Sequence, residues 1–126
     1  MPFEELLSRS PPVFDVSASA LSTRDGKVKV TGIASDNDRI LDTYVFVNSR
    51  KVFYRSNRDA ADPKKMTIDL EASLRPGVNV VRLFARENPD TVTQRVIVVR
   101  RDGANGELLP TPKGDEGLWD DVAAAD

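Results

Sequence analysis

Leu74-Arg75-Pro76-Gly77-Val78-Asn79-Val80-Val81-Arg82-Leu83-Phe84-Ala85 runs a Pro-Gly turn straight into a strand. Proline fixes φ, and glycine accepts backbone geometry closed to bulkier residues, so the pair reverses the chain before the strand begins. Beyond the turn, Val81, Leu83 and Ala85 recur at a period of two, the spacing of one face of a strand. Asn79 stands where its amide can tie the turn to the strand. Pro76, Gly77 and Asn79 are therefore read as structural rather than ligand-binding.

The same reading extends in both directions. Val13-Phe14-Asp15-Val16 is a short first strand, and Arg24-Asp25-Gly26 is a tight reversal. Lys27-Val28-Lys29-Val30-Thr31 then alternates as a strand with one wet face, and Gly32 and Ala34 continue its inward line. A third strand covers 40–47, with Leu41, Val45 and Val47 expected in the core and Tyr44 and Phe46 on the opposite face. Asn48-Ser49-Arg50 turns the chain into Lys51-Val52-Phe53-Tyr54. Met66-Thr67-Ile68-Asp69-Leu70-Glu71 alternates again, and Glu87-Asn88-Pro89-Asp90 leads into a last strand ending near Arg100. About seven antiparallel strands without helical crossovers predict an all-β, two-sheet sandwich. Its expected limits are 13–101, preceded by a proline-containing linker at 1–12 and followed by an acidic, flexible tail at 102–126.

At 126 residues the chain has room for one ordinary domain with one modest core. It contains no cysteine and no histidine, so disulfides, thiolate chemistry, imidazole metal ligation and histidine-based acid–base catalysis are impossible within it. Ser8, Ser10, Ser17 and Ser22 belong to no nucleophile motif. No catalytic residue and no cofactor is expected. Residues 1–100 hold 16 Lys+Arg against 13 Asp+Glu, whereas 101–126 hold 2 against 7. A net of +3 on the body is too weak and too diffuse a field for nucleic acid. With no run of eighteen apolar residues and no secretory h-region, direct membrane insertion is not expected. Work outside the cytoplasm would require a larger precursor, and the isolated fragment is expected to be soluble.

Three groups of side chains are candidates for more than packing. Tyr44, Phe46, Phe53 and Tyr54 put aromatic residues on both faces of one hairpin. Arg55 and Arg58 flank them, and Trp119 interrupts the acidic tail. Tyrosine, tryptophan and arginine are the residues that anchor protein–protein interfaces. Burial of both hairpin faces, one of them beneath the 55–65 crossing, is the competing explanation. Tyr44, Tyr54 or Trp119 would alternatively serve as stacking platforms for a sugar. Asp36, Asp38 and Asp42 are a weak metal loop lacking the glycine and spaced glutamate of an EF-hand, and capping of turns in ordinary sandwich loops is the favoured explanation for them. Arg82, Arg86, Arg95, Arg100 and Arg101 are expected to form a ladder with Glu87 and Asp90.

Gly32-Ile33-Ala34-Ser35-Asp36, Val45-Phe46-Val47-Asn48 and Leu74 through Asn79 together resemble the immunoglobulin-like modules of bacterial secreted and envelope proteins, over about residues 12–100. Ser49 stands where that pattern usually has glycine. A narrower likeness rests on Pro11-Pro12-Val13, Lys51 through Asn57, Ala85-Arg86-Glu87-Asn88 and Val99 through Gly103. These blocks resemble the segment that follows the PDZ and serine-protease domains of certain bacterial carboxyl-terminal processing proteases. The resemblance implies a parent serine peptidase of the periplasm or cell envelope, with its serine–lysine pair upstream of this chain. It also implies that the adjacent protease or PDZ domain, or a protein substrate, is the partner, and that the module packs, spaces or presents substrate.

Overall fold

The computed structural model describes residues 11–58 and 61–111. Eight strands form two packed sheets: β1 (Val13–Ala18), β2 (Ser22–Thr23), β3 (Lys27–Ser35), β4 (Asp42–Val47), β5 (Arg50–Ser56), β6 (Lys65–Ser73), β7 (Gly77–Asn88) and β8 (Thr91–Arg101). The smaller sheet has the order β1-β3-β6 and the larger β2-β8-β7-β4-β5. Chain reversals supply antiparallel neighbours throughout, except that β2 runs parallel to the end of β8. The count of seven therefore becomes eight. Ser22–Thr23 is too short to carry any periodicity, and its pairing with Arg100 and Arg101 is a purely tertiary fact.

Inward positions of both sheets interdigitate into one apolar layer, as a sandwich requires. Phe14, Val28, Val30, Ala34, Val45, Ile68, Val81, Leu83, Ala85 and Val99 are among its buried members. The alternation of β7 is complete, with Val81, Leu83 and Ala85 fully enclosed. In β4 the inward row is Thr43, Val45 and Val47, and the apolar residue that enters the core upstream is Ile40, not Leu41. The strand starts only at Asp42. Before it, the Ile40 N–H donates to the Pro63 carbonyl, which turns the chain out of strand parity.

Gly32 sits where a Cβ would lie 2.9 Å from the Phe14 ring, so the absence of a side chain lets β3 and β1 share that aromatic residue. Gly77 takes φ 85°, in the left-handed region, and Thr111 packs against it. Asn79 is fully buried beside that turn. Its amide donates to the carbonyls of Arg75 and Gly77, and its oxygen accepts the Arg75 N–H at 3.0 Å and the Asn48 amide at 3.1 Å. One side chain thus joins the Pro-Gly turn to the β4–β5 turn. Asn48 itself adopts φ 55° at the first turn position and accepts the Val80 N–H, so asparagine rather than glycine takes the left-handed geometry of this hairpin.

Beyond β8 the chain stays against the sandwich as far as it is described. Asp102 donates its N–H to Thr23, Gly103 and Glu107 close a loop, and the Thr111 hydroxyl accepts the Val78 N–H. Residues 1–10 of the expected linker, the acidic residues from 112 onward and Trp119 lie outside the described residues.

Candidate interaction face

The two outer faces of the sandwich differ in kind. On the small sheet, Lys27 faces Glu71 at 3.7 Å and Lys29 faces Asp69 at 3.6 Å, all well exposed. That surface is mainly charged and solvated, with Val13 and Ile33 exposed on it, and such pairs contribute up to about 1 kcal/mol each. The larger sheet presents a different set. Its register aligns Tyr54, Tyr44, Phe84 and Gln94 in one row across β5, β4, β7 and β8. The adjoining row reads Lys51, Phe46, Arg82 and Val96. Further along β7 and β8, Val78, Val80 and Val98 point the same way.

Aromatic packing organises the centre of this face. Tyr44 and Phe84 stack with ring centroids 4.7 Å apart and planes 11° from parallel, and Phe46 meets both edge-on. Cations close over the rings. Lys51 Nζ lies 5.5 Å from the Tyr44 centroid and 5.9 Å from that of Tyr54, Arg82 stands over Phe46, and Arg86 over Tyr44. Each such contact is worth about 0.5–1 kcal/mol at an exposed site. The patch nevertheless remains open to solvent. Tyr54 is 56% exposed, Val96 52% and Val98 53%.

A polar knot anchors one end. Asp42 has outward parity yet is almost fully buried, because the Arg86 guanidinium grips both its oxygens, one from Nε at 2.7 Å. The Tyr54 hydroxyl donates to the same carboxylate at 3.1 Å. Asp42 accordingly raises the Tyr54 hydroxyl above its ordinary pKa, first through this hydrogen bond and then through its charge, and it holds Arg86 firmly protonated. Beside the knot, Arg39, Tyr54, Asn57, Arg58, Pro63 and Arg86 line an open pocket of about 420 Å³.

The structure brings together only part of what the sequence nominated. Tyr44, Phe46 and Tyr54 share the outer face. Phe53 pairs with Val45 and packs against the core, so the four aromatic residues form no single row. Arg55 follows the inward parity of Phe53 at the exposed sheet edge, and Arg58 lines the pocket. Asp36 accepts the Asp38 N–H in a local turn, whereas Asp42 is committed to Arg86. Among the described residues no group of three or more carboxylates is placed to hold a metal ion. The arginine ladder also divides differently. Arg86 pairs with Asp42, Arg100 with Asp102, and Arg95 and Arg101 donate to the carbonyls of Phe14 and Leu74. Glu87 faces inward and is buried. Desolvation, then the nearby charges of Asp36 and Asp38, push its carboxyl up, against the opposing pull of Arg39. Phe84, Val96 and Val98 were not singled out from the sequence. Their signal was the even-numbered parity of β7 and β8, opposite to the core row.

No protein-family model and no curated protein matches the sequence. Solved structures do match. The fibronectin(III)-like modules of Clostridium thermocellum CbhA superpose with a TM-score of 0.55 at 18% identity, over 82% of this chain and 53% of that one. This chain thus spans about half the length of that structure. The PKD domain of an M14-like peptidase from a Thermoplasmatales archaeon superposes with a TM-score of 0.54 at 16% identity, over 74% of this chain and 97% of that one. At these identities the likeness shows the fold, an immunoglobulin-like β-sandwich.

Proposed function

We propose that this chain is a non-catalytic accessory module of a larger protein, and that it docks a protein partner on the outer face of its five-stranded sheet. The carrying observation is the asymmetry of the two outer faces: one has paired charges and two exposed apolar residues, Val13 and Ile33, and the other has exposed valines around a cation-capped aromatic cluster. Arg82, Lys51 and Arg86 give that cluster a positive rim, which suits a partner with carboxylates at its margin. A sugar platform has less support, because Tyr44 and Phe84 turn their faces to one another rather than to solvent. The parent is read as an envelope or periplasmic processing protease. The sequence blocks resembling the segment after a PDZ and protease pair support this, and the PKD domain of similar shape belongs to a peptidase. Its neighbouring protease or PDZ domain, or the substrate it presents, is then the partner.

The test is a double change on the exposed face, Tyr54→Ser with Val98→Ser, made in the parent protein. Substrate processing falls several-fold while the module's thermal transition is retained. Unchanged processing by a folded double variant defeats the reading.

A further inference from the structure

We infer that the exposed edge of β5 is a second docking site, which takes an extended acidic segment of a partner protein as an added strand of the larger sheet. The contact is made by backbone at a sheet edge, so it goes beyond docking on the outer face and does not depend on it.

The unequal widths of the two sheets leave this edge uncovered. On one side β1 lies along β8, where the Thr93 hydroxyl and the Arg95 guanidinium donate to the carbonyls of Pro12 and Phe14. On the other side β6 lies against β4, so β5 overhangs the smaller sheet. Every β5 residue is exposed except Phe53, which packs partly against the core. The backbone is open too. The Asn57 N–H donates to the Leu41 carbonyl. Alternation from that bond turns the backbone groups of Arg55 and Phe53 toward β4 and those of Tyr54 and Ser56 away from it. No described strand lies beyond β5 to receive them. An unpaired edge built from strong strand formers, here Val52-Phe53-Tyr54, is a template for a further strand.

Charge decides which strand fits. The inward row of β5 sets Phe53 between Arg50 and Arg55. Neither arginine makes an ion pair among the described residues. With Lys51 on the other row, β5 holds three cations and no carboxylate. A second copy pairing edge to edge would set these cations against one another, and like charges across a strand pair repel. A segment with an apolar residue between two carboxylates at alternate positions reverses that sign. Its apolar side chain lies beside Phe53 and its carboxylates turn to the arginines. The open edge of the smaller sheet is a poorer match, because Asp69 and Glu71 of β6 are acidic and already paired with Lys29 and Lys27.

The probe is a blocked synthetic peptide, threonine-glutamate-threonine-isoleucine-threonine-glutamate-threonine, titrated into the isotope-labelled full chain of 126 residues. Saturable amide shifts centred on β5 are expected, with hydrogen exchange at Tyr54 and Ser56 slowed several-fold. Methylating the peptide's backbone nitrogens, or replacing its glutamates by lysine, weakens binding several-fold. Ser56→Pro removes an N–H that points away from β4, so it weakens binding likewise while the fold is kept. Arg55→Glu, at an exposed position, gives the same loss through charge. The absence of a saturable shift, or binding indifferent to methylation, overturns the inference. Shifts centred on β6 overturn it as well. So does exchange at Tyr54 and Ser56 that slows with protein concentration in the absence of peptide, which assigns the edge to a second copy. Val98→Ser is expected to leave peptide binding unchanged, and a loss there moves the site to the outer face and defeats the edge assignment. Edge binding alongside normal processing by the outer-face double variant sinks only the earlier reading, so the two proposals fail separately.

Discussion

At the residue scale, two buried polar side chains show how different physics follows from similar burial. Asn79 is neutral and fully satisfied, joining the Pro-Gly turn to Asn48 through both ends of its amide. Replacing it strands several groups that water cannot reach. Asn79→Ala is expected to cost about 3 kcal/mol in urea unfolding. Asn79→Asp should cost more, because it puts a charge where the amide donates to carbonyls. Glu87 is the opposite case, a buried carboxyl beside Asp36 and Asp38. Its folded pKa lies above the unfolded value near 4.5, so the protonated form is the one the fold favours. Below that value both states are protonated and ionisation costs nothing. As pH rises through the folded pKa, stability is lost. Glu87→Gln should therefore raise the melting temperature at neutral pH, and the gain should shrink to nothing as pH falls below the unfolded value. A gain independent of pH would show that packing, not charge, is responsible.

At the element scale, the β4–β5 hairpin sets conformational preference against hydrogen bonding. Glycine at position 48 would relieve about 1 kcal/mol of left-handed strain. It would also remove the acceptor for the Val80 N–H and the donor to Asn79, each bond worth about 1 kcal/mol and more where a buried group is left unpaired. Hydrogen bonding outweighs strain, so Asn48→Gly is expected to destabilise by about 1 kcal/mol in chemical denaturation, with Asn48→Ala worse. Strand parity carried most of what could be read in advance: Val28 and Val30 in β3, Met66 and Ile68 in β6, and all of β7 have the burial their alternation implies, whereas Leu70, expected in the same buried row of β6, is only half-buried. Parity failed at Leu41, where the strand had not yet begun, and it was silent on Ser22–Thr23. Phe53 lies on the inner face and Tyr44 and Tyr54 on the outer one, in keeping with aromatic residues on both faces of this hairpin.

At the scale of the whole molecule, the sandwich has one shared interior and two unlike exteriors. The interior should respond to truncation and the outer face should not. Leu83→Ala, at a fully buried position, is expected to lose about 2–5 kcal/mol. Val98→Ser, 53% exposed, should stay within about 0.5 kcal/mol of the parent stability. Parallel denaturant titrations check both, and a large loss at Val98 would make the outer face part of the fold's own packing rather than a docking surface.

Turn chemistry and a period of two were sufficient to announce an all-β sandwich, because both act between residues close in the chain. The absence of histidine and cysteine likewise bounded the chemistry without any coordinates. Which side chains meet on the outer sheet is another matter. Tyr54, Tyr44 and Phe84 come from three strands, and Asp42 reaches Arg86 across 44 residues of sequence. Those partnerships depend on sheet order and register, which arise only when the two apolar faces close on each other.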